Sequence, residues 1–123
     1  MIYTSYYARY AKMPQNNNTI AVQVSNSQPQ WFDKPCVSMK ELAPTWELVQ
    51  KWKNRQVTEE EFKQMYIQEL DCRVNKDEVI AKLMDLLREY DVVVLLCYEK
   101  YGDVCHRYSL AEWLDLGIKE MPY

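Results

Sequence analysis

Five consecutive apolar residues, Val92 to Leu96, most limit what this chain can become. Three of them are β-branched and favour an extended backbone. They show none of the alternation of a strand with one wet face, so both faces expect cover. That is the situation of a central strand in a parallel or mixed sheet with helices on either side. A helical stripe runs directly into this strand: Val79, Ile80, Leu83, Leu86, Leu87 and Tyr90 recur at helical spacing, and Asp91 ends the pattern.

The remaining elements follow from local signals. Ile2 to Tyr7 and Thr19 to Val24 are short, β-branched or aromatic, and read as strands. Met13 to Asn18 is a turn-rich loop between them. Ser25 to Pro35 is polar, holds Pro29 and Pro35 around Trp31-Phe32, and reads as a long loop that presents aromatics. A helix is expected from Ala43-Pro44 to about Asn54, with Pro44 in its first turn. Thr58 to Glu61 is a capping box, followed by Phe62, Met65, Tyr66 and Leu70 at helical spacing. Asn75 to Glu78 is a second N-cap signature. A last helix is expected from about Cys105 or Tyr108 to Leu116, with Gly117 as its C′ residue. The order β–β–α–α–α–β–α predicts one α/β domain over residues 1–123. It is a small, three-layer, Rossmann-like domain with a mostly parallel or mixed sheet flanked by helices.

Composition bounds the function class. The 123 residues carry a net charge of −3, which disfavours coating of nucleic acid by charge alone but leaves room for a local basic cleft. No apolar run approaches the ~20 residues of a membrane span, and the N-terminal residues lack the apolar core of a signal peptide. A cytoplasmic location is expected, with Cys36, Cys72, Cys97 and Cys105 as free thiols and no CxxC pair.

The chemistry gathers after the Val92 strand. Cys97 and Glu99 follow its end, Gly102 sits in a polar loop, and Cys105-His106-Arg107 stands where the last helix begins. Strand, loop and helix N-terminus in that order is where α/β proteins commonly place ligands. Arg107 offers a planar fork for phosphate or carboxylate. Cys105 beside a cation and a helix start is a candidate thiolate. His106 is the sole histidine and the one side chain with an unperturbed pKa near neutrality. Glu99 is a candidate general base. The catalytic candidates are therefore Glu99, Cys105 and His106, with Arg107 and Cys97 as binding candidates. The competing reading is structural: His106 caps the helix, Arg107 pairs with Glu99 or Asp103, and Cys105 packs. The C-x7-C-H spacing is not a standard zinc pattern, so no metal site is assigned, and a reversible Cys97–Cys105 disulfide stays open. Tyr3, Tyr6, Tyr7, Arg9 and Tyr10 suit either stacking on a base or covering the core, as do Trp31 and Phe32. Trp46, Trp52 and Trp113 in the helical stripes read as core.

The string LLCYEKYGDVCHR, Leu95 to Arg107, resembles the signature of the domain-of-unknown-function 488 family, in which a strand ends in L-L-C-x-E and a C-H-R follows a short loop. Leu42 to Leu70 is similar to that family's Leu-x-Pro stretch and its Thr-Glu-Glu-Phe-type helix. YTSYYAR, Tyr3 to Arg9, is similar to the opening of a short branch, with the more usual Gly-His-Ser absent. The resemblance implies a compact α/β domain of bacteria or their phages, with no established activity and with the cofactor unknown. Carried over position by position, it implies a site of Cys97, Glu99, Cys105, His106 and Arg107, with Ser5 and Arg9 as binding candidates from the opening strand.

Three functions compete on this reading. One is a small enzyme with an anion- or nucleotide-related site. Another is a non-catalytic module for nucleotide, phosphate or single-stranded nucleic acid. The third is a structural CHR motif in a protein that works through a protein partner.

Overall fold

A computed structural model describes residues 1–14, 17–98 and 106–122. The described chain runs β1 (Ile2–Tyr6), α1 (Tyr7–Ala11), β2 (Thr19–Gln23), β3 (Cys36–Ser38), a 3-10 turn (Lys40–Leu42), α2 (Trp46–Lys53), α3 (Glu59–Arg73), α4 (Lys76–Glu89), β4 (Val92–Cys97), α5 (His106–Leu114) and β5 (Lys119–Glu120). The strands form one sheet in the order β3-β2-β4-β1-β5, and every pair is parallel.

β4 is the central strand. Val93 is in register with both Ile2 of β1 and Ile20 of β2, and Val93 to Cys97 are all fully buried. Its alternate residues feed two cores. Val93 and Leu95 pack with α2 to α5 through Leu48, Phe62, Tyr66, Leu70, Leu83, Leu110 and Trp113. Val94 and Leu96 pack on the other face with Tyr7 and Tyr10 of α1 and with Phe32. This is the three-layer, Rossmann-like α/β arrangement expected of a strand without alternation. No helix among the described residues is long and apolar enough to cross a membrane.

The caps read from sequence hold the long helices. The Thr58 hydroxyl accepts from the Glu61 amide at 3.1 Å, and the Glu61 carboxylate accepts from the Thr58 amide at 2.9 Å. Asn75 accepts from the Glu78 amide at 3.1 Å. Elsewhere the structure differs from expectation. α2 starts at Trp46 because Thr45 is its N-cap, accepting from the Leu48 amide, so Pro44 lies outside the helix. α5 ends at Leu114, and Asp115 takes the left-handed conformation at φ 53°, so Gly117 lies beyond the C′ position although its own φ is also positive, 69°. α1, β3 and β5 were not anticipated.

The aromatic assignments also resolve. Tyr7 and Tyr10 are buried against Phe32, with the Tyr7 and Phe32 rings edge to face at 4.9 Å, so this part of the opening segment covers the core. Trp113 is buried and Trp52 packs at the core margin. Trp46 corrects the sequence reading. It is 62% exposed, because its face of α2 looks out over the C-terminal edge of the sheet rather than inward.

Candidate functional site at the C-terminal edge of the sheet

The chain leaves β2 toward the edge strand β3 and leaves β4 toward β5 on the opposite side. Adjacent strands whose connections depart in opposite directions open a crevice at their C-terminal ends. A cavity of about 390 Å³ lies there, lined among the described residues by Ser25, Asn26, Ser27, Pro44, Trp46, Val49, Lys53, Tyr98 and His106.

The segment after β2 is held from below. Tyr7 Oη lies 2.7 Å from Ser25 Oγ, and Ser25 Oγ donates to the Ser27 carbonyl at 2.7 Å, so the Tyr7 phenol is the donor to Ser25. Burial raises the Tyr7 pKa to about 12, so the phenol keeps that proton. Gln23 Nε2 donates to the Ser25 carbonyl at 2.9 Å, and Asn26 Nδ2 donates to the Pro44 carbonyl at 3.0 Å. The second bond ties this segment to the entry of α2. Ser27 Oγ meets Tyr98 Oη at 3.2 Å across the crevice. Such a network fixes the wall in advance of any ligand.

Helix α5 divides the two residues that the sequence reading had grouped. His106 turns toward β2, where its Nε2 donates to the Val24 carbonyl at 2.6 Å, and its ring meets Tyr66 edge to face at 5.5 Å. Burial pushes its pKa down to about 4, partly offset by the Val24 bond and reinforced by the neighbouring Arg107 charge, so it is neutral at pH 7. A neutral ring donating from Nε2 carries its proton there.

Arg107 turns the other way and is completely buried. Its Nε and Nη2 meet the two Glu120 oxygens at 3.1 and 2.9 Å. Its Nη1 reaches Cys97 Sγ at 3.0 Å, and its plane lies 4.6 Å from the Tyr108 ring centre. The partner is thus Glu120 of β5, which the structural reading did not anticipate. A second cavity of about 330 Å³ borders this ion pair, but Glu112, Asp115 and Glu120 line it, so it presents carboxylates rather than a cation. An anion at Arg107 would have to displace Glu120.

The other candidates lie apart. Ser5 is fully buried and its Oγ has no hydrogen-bond partner among the described residues. Arg9 sits half-buried on α1, outside the cavity lining. Glu99 and Cys105, and with them the Glu99 and Asp103 pairing and the Cys97–Cys105 question, fall outside the described residues. The expectation of free thiols holds at Cys36 and Cys72 and fails at Cys97, which is disulfide-bonded. No group of three His, Cys, Asp or Glu among the described residues could hold a metal. Sequence reasoning missed Trp46, Lys53 and Asn26. The only signal for the first two was their spacing on α2, which with Val49 is i, i+3, i+7 and marks one helix face.

No curated protein and no solved structure matches the chain. A family model does match, DUF488-N3a, described as the active DUF488-N3 subclade, over residues 5–116. That span runs from the end of β1 through α5, covering the described cavity lining and Arg107 but not Glu120, and the chain belongs to the domain-of-unknown-function 488 family.

Proposed function

We propose that this chain is a small cytoplasmic enzyme acting on a phosphate-bearing small molecule held between the ends of β2 and β4. The observation that carries the reading is the cavity at that crossing, whose size falls in the range of ~300–1,000 Å³ usual for small-molecule sites. Its described lining includes Lys53 and no carboxylate, which favours an anion. The family description as an active subclade supports catalysis over binding alone.

In this reading His106 is a positioning residue. A ring with a pKa near 4, tied to Val24, is poorly matched to moving protons at neutral pH. Proton transfer falls to Glu99, two residues beyond β4, and Cys105 is the candidate nucleophile once it is a reduced thiol. Arg107 sets α5 against β5 through Glu120. That ion pair also favours the structural reading of Arg107 itself, as opposed to anion binding.

The test is turnover of a panel of sugar phosphates and nucleotides, followed by phosphorus NMR. Under reducing conditions, Glu99→Gln and Cys105→Ser should abolish turnover with the melting temperature unchanged. A wild-type protein that binds members of the panel and turns over none is a binding module, and the enzymatic reading fails.

A further inference from the structure

We propose that Trp46 and Lys53 form a recognition pair for a planar aromatic ring carrying a single phosphate, the chemistry of a nucleoside monophosphate. The inference rests on the cavity between β2 and β4 being the ligand site, and it assigns the class of ligand taken there.

Trp46 is 62% exposed, yet it is fixed on the first turn of a capped helix and borders a cavity. An indole left in water at such a place is a stacking platform, since every aromatic ring offers it a face. Tyr98 is 46% exposed on the cavity's other wall and lies edge to face with Tyr7 at 5.3 Å, which holds its ring upright. The cavity therefore has an aromatic side chain on each of two walls.

Lys53 supplies the charge. Its Nζ lies over one face of the Trp46 ring, 5.5 Å from the centre, so a ligand ring would stack on the opposite face. A cation at that distance from a stacking surface matches a ligand whose anionic group hangs from its ring system. Lys53 is the sole cation in the described lining, because His106 is neutral. One lysine suits one phosphate and lacks the run of cations that follows a nucleic-acid backbone. The volume agrees. About 390 Å³ is near the lower end of the range for ligand sites, room for one ring and one phosphate rather than a dinucleotide. A polar group for reading the ring edge is in the lining: Asn26, an amide fixed by its Nδ2 bond to the Pro44 carbonyl.

The experiment is isothermal titration of the full chain with four probes: a nucleoside monophosphate, the corresponding nucleoside, ribose 5-phosphate and inorganic phosphate. The expected order is monophosphate first, nucleoside weaker, and the two ring-free phosphates weakest. Trp46→Ala should weaken the monophosphate and the nucleoside alike, by about tenfold or more, given the usual worth of stacking on one base. Lys53→Gln should lower the affinity for the monophosphate to that for the nucleoside and leave the nucleoside unaffected. Both residues are at the surface, so both variants should melt with the wild type. Flavin mononucleotide and pyridoxal phosphate, titrated in parallel, separate other sources of the same chemistry. Ribose 5-phosphate binding as tightly as the monophosphate, or a Trp46→Ala variant that binds as the wild type does, overturns the proposal. So does the absence of binding by any ring-bearing phosphate. Ring-dependent binding without turnover leaves this inference standing and removes the enzymatic reading. Turnover of ring-free phosphates does the reverse.

Discussion

Arg107 and Glu120 close a two-point ion pair, Nε to Oε1 at 3.1 Å and Nη2 to Oε2 at 2.9 Å, with the arginine side chain wholly buried and the glutamate 11% exposed. Thr4 adds a bond to the same Oε1 at 2.6 Å. One carboxylate thus joins α5, β1 and the two-residue strand β5. Glu120→Ala removes the described counter-charge of a guanidinium held in the interior. The expected loss is about 3–5 kcal/mol, the usual range when one partner of a buried pair is removed. Glu120→Gln keeps the shape and one acceptor and should cost less. Urea denaturation of both variants checks this, and a loss below about 1 kcal/mol for Glu120→Ala would mean that the pair contributes little.

His106 makes stability depend on pH in a definite direction. Its pKa falls from 6.5 in the unfolded chain to about 4 in the fold, chiefly through burial. Above pH 6.5 the ring is neutral in both states. Between 6.5 and 4 the unfolded chain binds a proton that the folded chain refuses, so stability falls as pH falls, by up to about 3 kcal/mol. Carboxylates also titrate at the lower end of this window. The informative quantity is therefore the difference between the wild type and His106→Gln, whose amide can still donate to Val24. The wild type should lose more stability across the window than the variant, and parallel urea midpoints would sink the assignment.

The free cysteines should differ in reactivity. Cys36 is half-buried beside Gln23, and desolvation pushes its thiol up to about 11. Near pH 8 only about one molecule in a thousand then carries the thiolate that alkylates. Cys72 is exposed. Iodoacetamide labelling mapped by mass spectrometry should modify Cys72 first, with Cys36 following as pH rises toward its pKa. Equal rates at neutral pH would show that the β3 edge opens readily.

Much of this architecture is written in local signals, and the parts that are not share a cause. Val92 to Leu96 declares a strand covered on both faces, and Thr58 and Asn75 declare helix starts, because each depends on residues within one turn or one strand. β3 and β5 are three and two residues long, too short for any periodicity, and they exist because their neighbours pair with them. The Arg107 partner was hidden for the same reason, since Glu120 lies on β5. His106 and Arg107 were grouped as neighbours in sequence, yet successive helix residues point about 100° apart, which sends one side chain to β2 and the other to β5. Trp46 was assigned to the core from a stripe on α2. Which side of a stripe meets the protein and which meets a cavity is a property of packing between distant elements.

Ser5 gives the sharpest separation between stability and function. Its Oγ is fully buried on β1 and has no hydrogen-bond partner among the described residues. By the two-residue period of a strand it shares the sheet face of Tyr3, beneath α1, and its backbone is in register with Leu96. A hydroxyl removed from water without compensation destabilises the fold that holds it. Ser5→Ala deletes that oxygen without opening a cavity as large as a methyl group. The variant should therefore be at least as stable as the wild type, and more stable by about 1 kcal/mol if the hydroxyl is as isolated in solution. Urea denaturation measures the sign directly. A gain in stability accompanied by loss of ligand binding or turnover would identify Ser5 as a group kept unsatisfied for a ligand, in line with the expectation that local rules break at functional sites. A loss of more than about 1 kcal/mol would show that the hydroxyl has a partner in solution and would end its candidacy as a binding group.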